Sequence, residues 1–162
     1  LLLLICTIAV KGQEYQEFHV ETPSTLREVI GKGAEDLTHI RVTGTINDQD
    51  IAFLCSLSRS RGTLYVSMNP ELYLKMTEEK EDTQRTYKLQ YLDLENACLM
   101  NDALPYEAFA YSHMKEYKLP KTLKKIGANA FACNVFLKEL IIPESVEEIG
   151  RNMLYYSIKV EK

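Results

Sequence analysis

Two stretches of the chain carry one pattern of apolar and polar positions, displaced by 23 residues. MKEYKLPKTLKKIGANAF begins at Met114 and LKELIIPESVEEIGRNML begins at Leu137. The shift aligns Met114 with Leu137, Tyr117 with Leu140, Leu119 with Ile142 and Pro120 with Pro143. It also aligns Leu123 with Val146, Ile126 with Ile149, Gly127 with Gly150 and Phe131 with Leu154. Apolar, Pro and Gly positions hold while the residues between them change, as expected when equivalent side chains stack. The first half alternates, through Leu137, Leu140 and Ile142, which predicts a short strand with one buried face. Pro120 and Pro143 end that strand, having no N–H for a further rung. Gly127 and Gly150 predict turns with positive φ. The Ala-Phe pairs, Ala108-Phe109 and Ala130-Phe131, supply a small residue for close approach and a large one to fill the core. Each unit thus reads as strand, turn, return segment and turn.

The strand half recurs upstream at Leu89, Leu92, Leu94, Ala97 and Leu99, and again at Leu37, Ile40, Val42, Thr45 and Ile46. Ile158 and Val160 begin one more strand. Ahead of these units the period becomes helical. Thr25 and Glu28 have capping-box spacing before Leu26, Val29 and Ile30, and Gly31 is placed to end that helix. Asn47 or Asp48 caps a second helix with Ile51, Leu54 and Leu57 on one face. A helix at this end covers the apolar face of a repeat stack. Between Ser58 and Lys88 the pattern lapses. Residues 63–68 read as an extra strand and 77–86 as a charged, solvated loop, so 58–88 is expected to be an insertion.

AFACNVFLKELIIPESVEEIG, from Ala130, and the preceding LPKTLKKIGANAF resemble the unit AF-x-x-C-x-x-L-x-x-I-x-I-P-x-S-V-x-x-I-G of the BspA-like bacterial leucine-rich repeat proteins. Cys133 falls one place before that unit's Cys, whose position is held by Asn134. The preceding unit, from Phe109 to Met114, is one residue shorter than usual. TPSTLREVIG and LTHIRVTGTINDQDIAFLC, in the 20–57 region, are similar to the N-terminal part of such proteins from Bacteroides-type bacteria. The resemblance implies an α/β fold: a right-handed leucine-rich repeat solenoid of short parallel strands and irregular return segments, with a helical N-terminal cap. It also implies a surface or adhesion-type role without enzymatic activity. The expected organisation is a signal remnant over 1–12, a helical cap with the first strand over 13–57, the insertion over 58–88, and repeats over 89–162.

Composition agrees with a folded chain of 162 residues, 46% hydrophobic and 26% charged. Lys and Arg total 19 against 23 Asp and Glu, a net charge of −4, which argues against a nucleic-acid partner. LLLLICTIAV rises only about 15 Å as a helix, too short to span a bilayer. It matches the apolar core of an export signal, with Val10 and Gly12 at −3 and −1 of a cut before Gln13. Such a cut removes Lys11 alone among the charges, taking −4 to −5. A buried N-terminal strand or helix is the alternative. Export places the mature chain outside the cytoplasm, secreted or on the cell surface. Of the 4 cysteines, Cys55, Cys98 and Cys133 then remain. The apolar neighbours of Cys55 and Cys133 predict buried free thiols, with a Cys55–Cys98 bridge left open.

Candidate chemistry is sparse. His19, His39 and His113 show no metal-ligand spacing, and neither Cys-x-x-Cys nor His-Glu-x-x-His occurs. Asn47-Asp48-Gln49-Asp50 starts like a calcium loop but lacks its glycine and closing Glu, so capping accounts for it better. Gly31-Lys32-Gly33 is explained by a helix end. No catalytic, metal or cofactor residue is singled out. The residues between the buried strand positions form the expected binding face: His39, Arg41 and Thr43; Tyr91, Asp93 and Glu95; Glu116 and Lys118; Glu139 and Ile141. The mixed signs of Arg41, Asp93 and Lys118, ending on Ile141, suit a protein surface better than a polyanion, and the expected partner is an extracellular protein or glycan. Two alternatives stand beside this reading: enzymatic chemistry in the 58–88 insertion, and a truncated repeat fragment without activity.

Overall fold

The structure, a computed structural model, describes residues 8–10, 13–59, 88–157 and 159–160. The expected strand at 63–68, the charged loop at 77–86 and most of 1–12 lie outside them. In chain order the elements are β1 (Ile8–Val10), β2 (Gln13–Val20), α1 (Leu26–Ile30), a 3-10 turn (Ala34–Asp36), β3 (His39–Ile46) and α2 (Asp48–Ser56). After these come β4 (Tyr91–Asp93), β5 (Ala97–Leu99), β6 (Ala103–Leu104), β7 (Glu116–Lys118), β8 (Lys125–Ile126) and β9 (Glu148–Ile149).

Repetition makes the sheets parallel, because each unit presents its strand in the same direction. The larger sheet runs β1-β2-β3-β4-β7, with β5 also on β3; among the described residues only the β1–β2 pair is antiparallel. Ile40, Leu92 and Tyr117 stand in register and are all buried. A second ladder, β6-β8-β9, sets Leu104, Ile126 and Ile149 in register. This ladder was not expected, because the Ile-Gly positions read as turn and return. β2 was not expected as a strand either; it pairs in parallel with β3 from Gln16↔Ile40 to Val20↔Gly44.

The return segments are hydrogen-bonded as well. Glu107, Phe109 and Tyr111 donate their N–H groups to the carbonyls of Ala128, Ala130 and Ala132 at 3.0, 2.7 and 2.8 Å. Asn129, Phe131 and Cys133 donate in the same way to Arg151, Met153 and Tyr155 at 3.1, 2.9 and 2.7 Å. The left-handed residues of this segment keep the same period: Glu107 and Tyr111, Asn129 and Cys133, Asn152 and Tyr156. A left-handed non-glycine residue costs about 1–2 kcal/mol, and at Tyr111 and Cys133 the inter-unit bond just named offsets it. Phe109 and Phe131 fill the space between, stacked with centroids 5.9 Å apart. Asn134, at the family's Cys position, is fully buried and satisfied. Its amide donates to the carbonyls of Phe109 and Phe131 at 2.8 and 2.9 Å, and its Oδ1 accepts from the Tyr117 hydroxyl at 2.7 Å.

Several local expectations are corrected. Gly127 and Gly150 are not at positive φ. They are required by space: a Cβ on Gly127 would lie 2.5 Å from the Pro105 carbonyl, and one on Gly150 would lie 2.3 Å from the Ala128 nitrogen. Thr25 makes no side-chain cap. Instead Asp50, buried on α2, accepts from the Leu26 and Ser24 amides at 3.1 and 2.8 Å, so one carboxylate caps α1 and ties it to α2. Asn47 caps α2 in a box with Asp50. Lys138 to Ile142 form no strand, so the sheet contains no rung there. The thiols of Cys55, Cys98 and Cys133 are free, Cys55 and Cys133 buried and Cys98 exposed. Burial pushes the Cys55 thiol up to about 11.

Candidate functional site

The sheet's outer surface collects the alternate residues of each strand into rows. One row sets His39 beside Tyr91 and Glu116. His39 stacks flat on Tyr91, centroids 4.2 Å apart, and takes the edge of Tyr15 at 5.5 Å. Its Nδ1 meets the Thr38 hydroxyl at 2.9 Å, and its Nε2 is buried without a hydrogen-bond partner. Burial holds its pKa below the ordinary imidazole value, with Lys115 adding to that and Glu116 opposing it.

The next row sets Glu17, Arg41, Asp93 and Lys118 side by side. Asp93 is only 1% exposed and is therefore no free surface group. Its Oδ2 accepts from Arg41 Nε and Nη2, both at 3.0 Å, with Lys118 Nζ at 3.5 Å. Its Oδ1 accepts from the Glu95 amide at 3.1 Å. Arg41 also reaches Glu17 at 4.0 Å. Tyr15 lies against this cluster, its ring 5.2 Å from the Arg41 guanidinium carbon and 5.5 Å from Lys118 Nζ. Burial, then the carboxylates of Glu116 and Asp93, push the Tyr15 hydroxyl up to about 12. Tyr15 and Glu17 were not anticipated, because 13–20 was not read as a strand.

Beyond Tyr91 the surface opens into a groove of about 710 Å³. Of the expected face it gathers Tyr91, Glu95, Glu116, Lys118, Glu139 and Ile141; His39, Arg41, Thr43 and Asp93 do not line it. Ile141 is 70% exposed at its far wall. Lys115 and Lys138 also line it. The Lys-Glu doublet repeated at 115–116 and 138–139 was the available signal for them. Lys121 and Glu95 pair at 3.2 Å. Lys115, Glu116, Lys138 and Glu139 have no ion-pair partner among the described residues. Besides its paired groups, the groove thus offers two further cations, two further anions, an aromatic face and an aliphatic side chain. Among the described residues no group of His, Cys, Asp and Glu is placed to hold a metal ion, and no helix is long and apolar enough to cross a membrane.

Short parallel strands laid in register, with the apolar row of the β6-β8-β9 ladder spaced by 22 and 23 residues, are the arrangement of a leucine-rich repeat. A family model described as the BspA type leucine rich repeat region (6 copies) matches residues 84–162, and it assigns that region to the BspA-type leucine-rich repeats. No curated protein matches the chain. A repeat of this family points to protein interaction as the function.

Proposed function

We propose that the chain is an exported, non-enzymatic adhesion-type protein whose sheet face engages an extracellular protein or glycan at the bacterial surface. In this reading the repeats form a right-handed solenoid, the helices α1 and α2 cap its N-terminal end, and no cofactor takes part. The observation that carries it is the groove from Tyr91 to Ile141, with its uncommitted Lys-Glu doublets. Unpaired charges flanked by the exposed Ile141 and the half-buried Tyr91 suit recognition, since such anchors carry binding energy more often than rim charges do. A protein partner is favoured over a glycan because the charges are of both signs and repeat at the unit spacing, which fixes register on a complementary chain.

The test is capture of envelope or host-surface components by the full chain, followed by quantification with the triple variant Tyr91→Ala, Lys138→Ala, Ile141→Ala. Binding weakened by about a hundredfold or more supports the groove, from losses of about 1 kcal/mol or more per anchor. Unchanged affinity with an unchanged melting temperature refutes it.

A further inference from the structure

The larger sheet omits a rung between two units that are bonded to each other everywhere else. β7 is its last strand among the described residues. The next unit, from Leu137, is fixed to the one before it at the second ladder and along the return segment. There β9 pairs with β8, and Phe131 and Cys133 donate to Met153 and Tyr155 at 2.9 and 2.7 Å. On the strand side, Lys138 to Ile142 form no rung. One rung back, the Gln90 carbonyl accepts from the Lys115 and Glu116 amides at 2.7 and 3.3 Å, and the Leu94 amide donates to the Lys118 carbonyl at 2.8 Å. The equivalent groups one unit on are the Lys115 carbonyl and the Leu119 amide. Neither has a hydrogen-bond partner among the described residues. Leu119 is 5% exposed and still lines the groove, so the groove reaches down to the backbone at this edge. Both walls of the gap are described: β7 is one, and the segment from Lys138 to Pro143 is the other.

We propose that the groove takes an extended polypeptide segment of a partner protein, which adds to β7 as a further strand. This rests on the reading of the groove as the binding site and specifies how it binds. In strand addition the main chain supplies affinity, and alternate side chains supply specificity. A volume of about 710 Å³ lies within the range of about 300–1,000 Å³ that ligand clefts span. The charges of the groove set the pattern of the segment. Glu116 on β7 and Glu139 on the facing wall have no ion-pair partner among the described residues. The side chain that lies between them is therefore Arg or Lys. Lys115 and Lys138 precede these glutamates in the chain, and Lys118 follows Glu116 by two residues. The neighbouring outward side chains of the segment are accordingly Asp or Glu on both sides. The residues between turn to the inner face of the sheet, where Leu119 is buried, and are apolar. Acidic, apolar, basic, apolar, acidic is the resulting order, the same in either chain direction.

The test is calorimetric titration of the full chain with the end-blocked peptide Thr-Glu-Val-Arg-Val-Glu-Thr, with hydrogen exchange read at single amides. The expected Kd is on the order of 100 µM. Exchange at the Leu119 amide should slow by about tenfold or more with the peptide at saturation. Two further peptides carry N-methyl groups, one at Glu and Arg and the other at the valines. At least one of them should bind about tenfold more weakly, because alternate N–H groups face β7. The double variant Glu116→Lys, Glu139→Lys should raise Kd for the parent peptide by about tenfold or more. Neither carboxylate has an ion-pair partner among the described residues, so the melting temperature should hold and confirm that the variant folds. No binding of the parent peptide up to about 1 mM overturns the proposal. So does binding that both N-methylated peptides retain, or binding that leaves exchange at Leu119 unchanged. In those last two outcomes the groove still binds and only strand addition fails. Failure of the groove itself is read separately, from the captured partner and the triple variant.

Discussion

Removing the Asp93 carboxylate tests whether the inner part of the sheet face is structural. Asp93 sits 1% exposed, with Arg41 Nε and Nη2 both at 3.0 Å and Lys118 at 3.5 Å. Breaking a buried ion pair by deleting one partner costs about 3–5 kcal/mol, because the other charge is left unpaired. Here the lower end applies. The Arg41 side chain keeps 14% of its surface and Glu17 at 4.0 Å, and the Lys118 side chain is 35% exposed and can turn to water. Asp93→Ala should therefore cost about 3 kcal/mol. Arg41→Met should cost a similar amount, since it leaves a nearly inaccessible carboxylate with only Lys118 and the Glu95 amide. The double variant should lose scarcely more than either single change, a coupling of about 2–3 kcal/mol. Urea unfolding followed by far-ultraviolet circular dichroism measures all three, with a common m-value as the check that only stability has changed. Additive losses, or a cost below about 1 kcal/mol for Asp93→Ala, would mean that the cluster is an ordinary solvated pair and the account of its burial is wrong.

Three further outcomes follow from particular contacts. Gly150→Ala places a Cβ 2.3 Å from the Ala128 nitrogen and should cost about 1–3 kcal/mol by forcing two units apart; a melting curve equal to that of the parent contradicts the close approach. Phe131→Ala empties a fully buried site between Phe109 and Tyr117 and should cost about 3–5 kcal/mol in the same denaturation assay, a prediction that a loss under about 1 kcal/mol defeats. His39 has its folded-state pKa lowered, so the unfolded chain takes the proton more readily. Its contribution is therefore complete above the ordinary imidazole value of about 6.5 and is lost as pH falls from there through the folded value. His39→Gln should flatten that part of the stability–pH curve, and an unchanged slope would remove His39 as its source.

The parts of the fold legible in the sequence are those where one side chain answers one environment. Leu89, Leu92, Leu94, Ala97 and Leu99 all lie in the core because stacking demands an apolar residue at each unit. That regularity carried both the strand register and the family resemblance. What escaped was set by contacts the period does not encode. β8 and β9 are two residues each, too short for alternation to show. Gly127 and Gly150 look alike whether the need is for a positive φ or for room, and only the neighbouring unit's backbone decides. Lys138 to Ile142 repeat the apolar positions of the unit before them, yet form no rung in the sheet.

The sheet face divides for a related reason. At its N-terminal side, β2 brings Tyr15 and Glu17 over residues that alternation alone marks as outward. There His39 is spent on Tyr15 and Tyr91, and Arg41 on Asp93 and Glu17. Where β2 no longer reaches, Glu116 and Glu139, with Lys115 and Lys138, have no ion-pair partner among the described residues, and Ile141 stands exposed. Outward direction is a property of one strand and can be read from its residues. Availability depends on every neighbouring strand, and it places the candidate site toward the C-terminal units, in the groove from Tyr91 to Ile141.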